Sequence, residues 1–245
     1  MYDFEKRYGS IIKALLKAPK EEKGLFTLRE GPYSLIEALQ KKTPITCRTN
    51  CKVHSVAGNT LHTSQGIVEG DHIVLAAPLH EVKRLYPHPF WKKIPTHTMH
   101  NVHMGFLEKV LPYDGYGYLT HAQENTPILG GTFDSRMYPR NSGTSGEKIS
   151  FFIGENPGSA LEDQELFSLA ENALTSHVKI TKKPVAKALI RGDDAGVIYG
   201  PNHEEIVDKI IKNAPSNLTF LGNYIDGVSV DSSVKRAKLE AFKTL

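Results

Sequence analysis

Asn217-Leu218-Thr219-Phe220-Leu221-Gly222-Asn223-Tyr224-Ile225-Asp226-Gly227-Val228-Ser229-Val230-Asp231 is the stretch on which the fold turns. A short apolar strand runs into Gly222, and a turn through Gly227 leads to a helix expected over about residues 232–243. Such a junction leaves backbone N–H groups exposed at the helix start. That suits a phosphate or another electron-rich edge, and it is equally the form of a plain strand–turn–helix connection. Upstream, residues 204–213 place Ile206, Val207, Ile210 and Ile211 on one helical side. Far earlier, Asp71-His72-Ile73-Val74-Leu75-Ala76-Ala77-Pro78 is a continuous apolar run ended by proline, the pattern of a strand covered on both faces.

Between these flanks the chain is rich in strand patterns. Residues 98–106 alternate, with Val102, Met104 and Phe106 on one side and Met99, Asn101 and His103 on the other. Residues 115–120, 127–133, 148–154 and 185–190 read as further strands, the first three as successive strands of one antiparallel sheet. Residues 140–146 form a turn or loop, and residues 160–176 form a helix carrying Leu161, Leu166, Leu169 and Leu174. On the N-terminal side, residues 3–18 and 33–40 read as helices, Ser34 and Glu37 having capping-box spacing. Pro44-Ile45-Thr46-Cys47 reads as a strand start. Residues 52–56 and 61–63, around the turn Gly58-Asn59-Thr60, read as a hairpin. A sheet-rich centre between two incomplete α/β flanks gives an α+β fold, residues 24–82 and 191–245 together forming one domain interrupted by an insertion.

Composition narrows the function classes. The chain has 245 residues, with 30 Lys and Arg against 27 Asp and Glu; a net charge of +3 indicates no nucleic-acid partner. Its two cysteines, Cys47 and Cys51, do not make a disulfide framework. No run approaches the roughly 20 apolar residues that span a bilayer. Met1-Tyr2-Asp3-Phe4-Glu5 is acidic where a secretory leader is basic, so the chain reads as cytoplasmic, and a peripheral contact at the inner face of the cell membrane is compatible with this.

The chemical motifs are few. Gly115-Tyr116-Gly117-Tyr118 allows backbone to lie close under a flat ligand or simply marks a twisted strand. Asp134-Ser135-Arg136 reads as an ion-paired strand end or as a contact for a substrate carboxylate. His97, His100 and His103 recur every three residues, a spacing that puts strand neighbours on opposite faces and reads as ordinary sheet surface, with no metal site. There is no nucleophile elbow, no Gly-Lys-Ser or Gly-Lys-Thr phosphate loop and no Cys-x-x-Cys pair.

Four stretches together resemble the oxygen-dependent protoporphyrinogen oxidases, flavoenzymes of haem biosynthesis related to amine oxidases and phytoene desaturases. They are residues 5–12; residues 26–31 with the helix 35–39; Gly117-Tyr118-Leu119 with residues 128–139; and residues 221–230. The resemblance implies an FAD-binding α/β domain interrupted by a mixed or antiparallel substrate-binding sheet. Residues 1–23 would end a helical substrate- or membrane-facing region, 24–82 would belong to the flavin domain, 83–190 to the substrate sheet and 191–245 to the return of the flavin domain. It also implies that Val53 lies beside the adenine and that Ala77 and Pro78 lie near the cofactor. Gly222, Asn223, Gly227, Val228 and Ser229 would lie near the diphosphate and isoalloxazine. Gly117, Leu119, Leu129 and Gly130 would border the tetrapyrrole.

The implied reaction is oxidation of protoporphyrinogen IX to protoporphyrin IX, with molecular oxygen reoxidising the flavin and releasing hydrogen peroxide. The chemistry is then the flavin's, with no acid, base or nucleophile expected from this chain. Two features depart from the family pattern. The Gly-x-Gly-x-x-Gly unit that cradles the FAD diphosphate is absent, as though roughly the first 180 to 200 residues were missing. Around residues 195–203 only Tyr199 and His203 match. Beyond the substrate and oxygen, the partners expected are a missing N-terminal segment or further copies of the chain in a homo-oligomer. The alternatives are another amine-oxidase-like flavoenzyme or a non-catalytic fragment that binds a tetrapyrrole or a partner chain.

Overall fold

The computed structural model describes Gly9 and residues 28–138, 145–155, 160–192 and 195–244. The expected helix over residues 3–18 and most of the expected loop over residues 140–146 fall outside them. The chain divides into two compact units, Met1–Cys47 and Arg48–Leu245.

The first unit contains helix α1 (Tyr33–Lys42), entered through Gly31-Pro32. The expected capping box is not formed. Pro32 is the N-cap, and Ser34 lies inside the first turn, its hydroxyl donating back to the Gly31 carbonyl at 2.7 Å. Pro44-Ile45-Thr46-Cys47 is not a strand, because no neighbouring strand pairs with it among the described residues.

The second unit begins with a three-stranded antiparallel meander, β1 (Val53–Ala57), β2 (Thr60–Thr63) and β3 (Gly66–Glu69). The hairpin was legible in the sequence; β3 was not. Strand β4 (Ile73–Leu75) then leads to α2 (Leu79–Leu85), a 3-10 turn (Pro89–Lys93) and the short β5 (Thr96–His97). Five strands build the central sheet: β6 (Met99–Phe106), β7 (Gly117–Leu119), β8 (Ile128–Thr132), β9 (Glu147–Gly154) and β10 (Ala186–Ile190). Their spatial order is β10-β6-β9-β8-β7, and every pair is antiparallel. Helices α3 (Asp134–Met137) and α4 (Asp163–Ser176) lie between these strands in the chain. After β10 come β11 (Gly196–Val197), α5 (His203–Lys212), β12 (Leu218–Phe220) and α6 (Val230–Thr244).

Two cores follow from the patterning. On the inner face of the central sheet, Val102, Met104, Ile149, Phe151 and Ile153 pack with Leu166, Ala170, Ala173 and Leu174 of α4. Each fully buried aliphatic or aromatic side chain contributes about 1.5–3 kcal/mol. Helix α4 starts with a reciprocal capping box between Glu162 and Glu165.

The second core gathers β4, α2, the 3-10 turn, α5 and β12 around Trp91, whose ring meets Phe220 and Tyr224 edge-on at 5.3 and 5.7 Å. Here β4 pairs in parallel with β12, Ile73 opposite Leu218 and Leu75 opposite Phe220. Two segments distant in sequence thus join, and all five strands of the central sheet lie between them in the chain. The strand expected over residues 71–78 is shorter and one-sided: Ile73 and Leu75 point inward while Val74 is 49% exposed. With β12 as its one strand neighbour among the described residues, the pair covers a single face.

Candidate functional site

Alternation along the strands gives the central sheet an outer face on which, among the described residues, no helix packs as α4 does inside. Registry brings Ala186, Ala188, Asn101, His103, Gly105, Lys148, Ser150, Phe152, Thr132 and Gly130 onto it. At the β7–β8 edge it carries the four residues expected to border a tetrapyrrole. Leu119 is 90% exposed, and a β-bulge between Ile128 and Gly130 turns Leu129 outward, leaving it 44% exposed.

Gly117 and Gly130 have a different reason for being glycine than open space for a ligand. Their φ angles are +151° and +156°, and a Cβ would lie 2.3 Å from the Gly131 carbonyl oxygen and 2.4 Å from the Tyr118 carbonyl oxygen. The two strands therefore approach in a way that only glycine permits. The flat, side-chain-poor patch this leaves on the sheet is a consequence of the pairing.

Around that patch the polar groups are organised. Asp134, in the first turn of α3, accepts from Thr132 Oγ1 at 2.7 Å and Ser150 Oγ at 2.5 Å, and lies 3.2 Å from Lys148 Nζ. Ser150 Oγ is in turn 2.5 Å from His103 Nδ1. Burial lowers the pKa of His103, with Lys148 adding to the effect and Asp134 partly opposing it. Arg136 is occupied by carboxylates of the protein, its Nε 3.1 Å from Glu147 and its Nη1 3.3 Å from Asp114, so the ion-pair reading of residues 134–136 holds. His100, expected at the sheet surface, is fully buried on the inner face: its Nδ1 accepts from the Gly192 N–H, and its Nε2 is 2.9 Å from Glu155. Among the described residues no cluster of His, Cys, Asp and Glu has the arrangement of a metal site.

The second candidate locus is the β12–α6 junction. Because β4 and β12 run parallel, Ala77-Pro78 and Gly222-Asn223 leave the strands at the same end, where open α/β sheets place ligands. The Leu221 N–H extends the ladder by donating to Leu75 O at 3.0 Å. Tyr224 is buried beneath the turn, its hydroxyl 3.0 Å from Leu221 O and 3.3 Å from Leu75 O, and burial raises its pKa. A Cβ on Gly222 would strike the Tyr224 ring at 2.2 Å, so this glycine accommodates Tyr224. Asn223 O accepts from the Tyr199 hydroxyl.

Gly227, at φ +147°, would place a Cβ 2.7 Å from Ser232 Oγ, and Val228 is exposed. Ser229 is the N-cap of α6, its Oγ accepting from Ser232 N–H at 3.0 Å and its carbonyl from Ser233 N–H at 3.1 Å. Replacing Ser229 with alanine is expected to lower stability by about 1 kcal/mol, read from the shift of a urea unfolding midpoint.

This junction fits the diphosphate of a dinucleotide. The N–H groups of Val230 and Asp231 open α6 and have no intrahelical acceptor. The nearby carboxylates are compensated, Asp226 by Arg236 at 3.1 Å and Asp231 by Lys235 at 2.7 Å, so neither presents an unpaired negative charge to an anion. Val53 sits apart on β1, half-buried against the Trp91 core; its carbonyl and that of His54 are held by Arg84 of α2 at 2.7 Å each. The expected residues thus fall into three places: Gly117, Leu119, Leu129 and Gly130 on one hairpin; Ala77, Pro78 and residues 222–229 around one strand end and the start of α6; and Val53 on the meander.

His203, at the start of α5, is nearly buried and donates from Nε2 to the Tyr224 carbonyl at 3.0 Å, with the Tyr199 ring 4.0 Å away. Burial lowers its pKa, the hydrogen bonds to the 224–225 backbone only partly opposing. Both His203 and His103 are therefore held neutral in the folded chain and bind protons more readily when it unfolds. Their contribution to stability is complete above the ordinary histidine value of 6.5 and is lost as pH falls through their lowered folded values. Urea midpoints are expected to fall between pH 7.5 and about pH 5.5, and less so in His203→Gln.

Comparison with known proteins places this geometry among flavoproteins. A profile of the family described as flavin-containing amine oxidoreductase matches residues 4–243. A coproporphyrinogen III oxidase of Mycobacterium leprae is 28% identical over 122 residues, 49% of this chain and 27% of the relative. The protoporphyrinogen oxidase of Bos taurus is 23% identical over 195 residues, 73% of this chain and 41% of the relative. In three dimensions, the crystal structure of a candidate protoporphyrinogen oxidase from Exiguobacterium sp. 255-15 superposes with a TM-score of 0.83 at 22% identity. It is matched over 99% of this chain and 56% of its own. The chain therefore spans little more than half, or less, of each of these proteins.

Proposed function

The chain belongs to the flavin-containing amine oxidoreductase family, which makes it an FAD-dependent oxidoreductase by class, and we propose that within that class it acts in oxidising a porphyrinogen to a porphyrin. The observation that carries this reading is that sequence relatives from a bacterium and a mammal both bear the names of porphyrinogen oxidases. The outer face of the central sheet supports it: Leu119, Leu129 and the glycine-thinned β7–β8 hairpin make an apolar floor on which a tetrapyrrole could lie.

In this reading the central sheet is the substrate-binding insertion, and residues 24–82 and 191–245 are parts of the flavin domain. The N–H groups that open α6 would hold the FAD diphosphate, with Gly222, Asn223, Gly227, Val228 and Ser229 around it and Ala77-Pro78 at the same strand end. Val53 would lie beside the adenine. Bound FAD supplies the two-electron acceptor, and molecular oxygen is the terminal oxidant, leaving as hydrogen peroxide. The chain's own contribution is to bind and orient the macrocycle and exclude competing reactions. Protoporphyrinogen IX is the proposed substrate.

The test is porphyrin fluorescence after adding protoporphyrinogen IX or coproporphyrinogen III to the FAD-supplemented protein, against FAD alone. Faster, FAD-dependent appearance of protoporphyrin supports the reading. A response to coproporphyrinogen alone moves the substrate to the more highly carboxylated macrocycle, and no acceleration with either sinks the reading.

A further inference from the structure

The sheet's outer face holds one polar chain that neither the glycines nor the α6 junction explains, and its hydrogen bonds have a direction. Asp134, an acceptor when ionised, is reached by Thr132, Ser150 and Lys148. Ser150 has a single hydroxyl proton and two close neighbours, Asp134 Oδ2 and His103 Nδ1, both at 2.5 Å. The proton goes to the carboxylate, so the Ser150 oxygen must accept, and the donor is His103 Nδ1–H. That fixes the tautomer and leaves the lone pair on Nε2. His103 Nε2 has no hydrogen-bond partner among the described residues, although its ring is only half-buried. Beside it, Gly105, Ala186 and Ala188 leave a hollow that His103 and Lys148 line.

We propose that His103 is the proton acceptor of this face, taking an N–H proton from a tetrapyrrole laid on the sheet, a role that rests on the porphyrinogen-oxidation reading. It departs from the expectation that no side chain of this chain acts as acid or base. Conversion of a porphyrinogen to a porphyrin removes four bridging C–H and two N–H hydrogens. Two of the three two-electron oxidations therefore pair a hydride from a bridging C–H with a proton from a pyrrole N–H, and the remaining one takes its proton from a bridging carbon. The C–H bonding pair would leave with the hydride, for which a bound flavin would be the acceptor. The N–H bond breaks toward His103 Nε2, and its electron pair stays on the macrocycle to complete the new conjugation. The resulting imidazolium keeps Nδ1–H on Ser150, and Asp134 behind Ser150 balances its charge. The proton then passes from Nε2 to solvent, and the base is restored for the second N–H proton that the reaction releases.

Ser150 and Asp134 are positioning residues in this scheme. The titratable groups facing His103 are Lys148 on β9 and Asp134 on α3; β10 contributes Ala186 and Ala188, which do not titrate. The base is therefore competent above its lowered pKa, and the step slows as pH falls through it.

The experiment starts with ¹⁵N NMR of the imidazole nitrogens in the purified protein, with His103→Gln used for assignment. At neutral pH, His103 is expected to show a protonated Nδ1 and an unprotonated Nε2; Ser150→Ala should relax it to a mixture of tautomers. Protoporphyrin IX is then added, its binding read from its own fluorescence, and the Nε2 resonance is expected to shift. In FAD-loaded protein, His103→Gln is expected to slow anaerobic flavin reduction by protoporphyrinogen IX about 100-fold. It should also flatten the pH profile while leaving porphyrin affinity nearly unchanged. A proton on Nε2 at neutral pH overturns the proposal, whatever the variant does. Porphyrin binding with no response at His103 also overturns it but leaves the functional reading standing. No porphyrin binding overturns both.

Discussion

Glu147→Ala is expected to destabilise the protein by about 3–5 kcal/mol, the scale seen when one partner of a buried charged network is removed. Glu147 opens β9 with its side chain fully buried beneath the central sheet. One carboxylate oxygen accepts from two backbone N–H groups, Val110 at 2.6 Å and Leu111 at 2.8 Å, and the other meets Arg136 Nε at 3.1 Å. Alanine leaves two largely buried donors and a guanidinium without their acceptor. Glutamine keeps an acceptor for only part of the set and removes the charge that faces Arg136, so it should fall between wild type and alanine. Urea unfolding of the three proteins, followed by far-UV circular dichroism, gives the ordering.

Gly130→Ala is expected to cost about 2–4 kcal/mol and to loosen the β7–β8 hairpin. The strain has two parts. A φ of +156° is a conformation that L side chains rarely adopt, and the new Cβ would lie 2.4 Å from the Tyr118 carbonyl oxygen. Relief requires β7 to move away from β8, which breaks the pairings of Gly117 with Thr132 and of Leu119 with Gly130. Hydrogen exchange is expected to quicken at Tyr118 and Leu119 in this variant while the amides of β6 and β9 stay protected. Equal loss of protection across all five strands would contradict the local account.

Much of the fold was legible because it rests on periodicity. The alternation of Val102, Met104 and Phe106 gave β6 its inner face, and the apolar side of residues 206–211 marked α5. The parts that were missed depend on partners distant in the chain. The run at residues 71–78 looks like a strand covered on both faces, but its only strand neighbour among the described residues is β12, and Val74 is left exposed. Ser34 has the spacing of a cap, yet Pro32 already occupies that position. His100 and His103 were correctly assigned to opposite faces, but nothing local indicates that one is buried against Glu155.

The candidate site divides in the same way. The glycines and the strand–turn–helix junction show in the sequence as local composition. The chain from Asp134 through Ser150 to His103 does not, because its members come from α3, β9 and β6. The one available signal was Lys148-x-Ser150, whose spacing puts both on the same face of a strand. The strand order that sets His103 beside them is a property of the folded sheet alone.

The most direct test of the central claim is an anaerobic titration of the FAD-loaded protein with protoporphyrinogen IX, following flavin and porphyrin absorbance together. The account predicts stoichiometric bleaching of protein-bound flavin, matched by porphyrin formation at one porphyrin for every three flavins reduced. Bound flavin that keeps its colour while porphyrin forms no faster than with free FAD would contradict it.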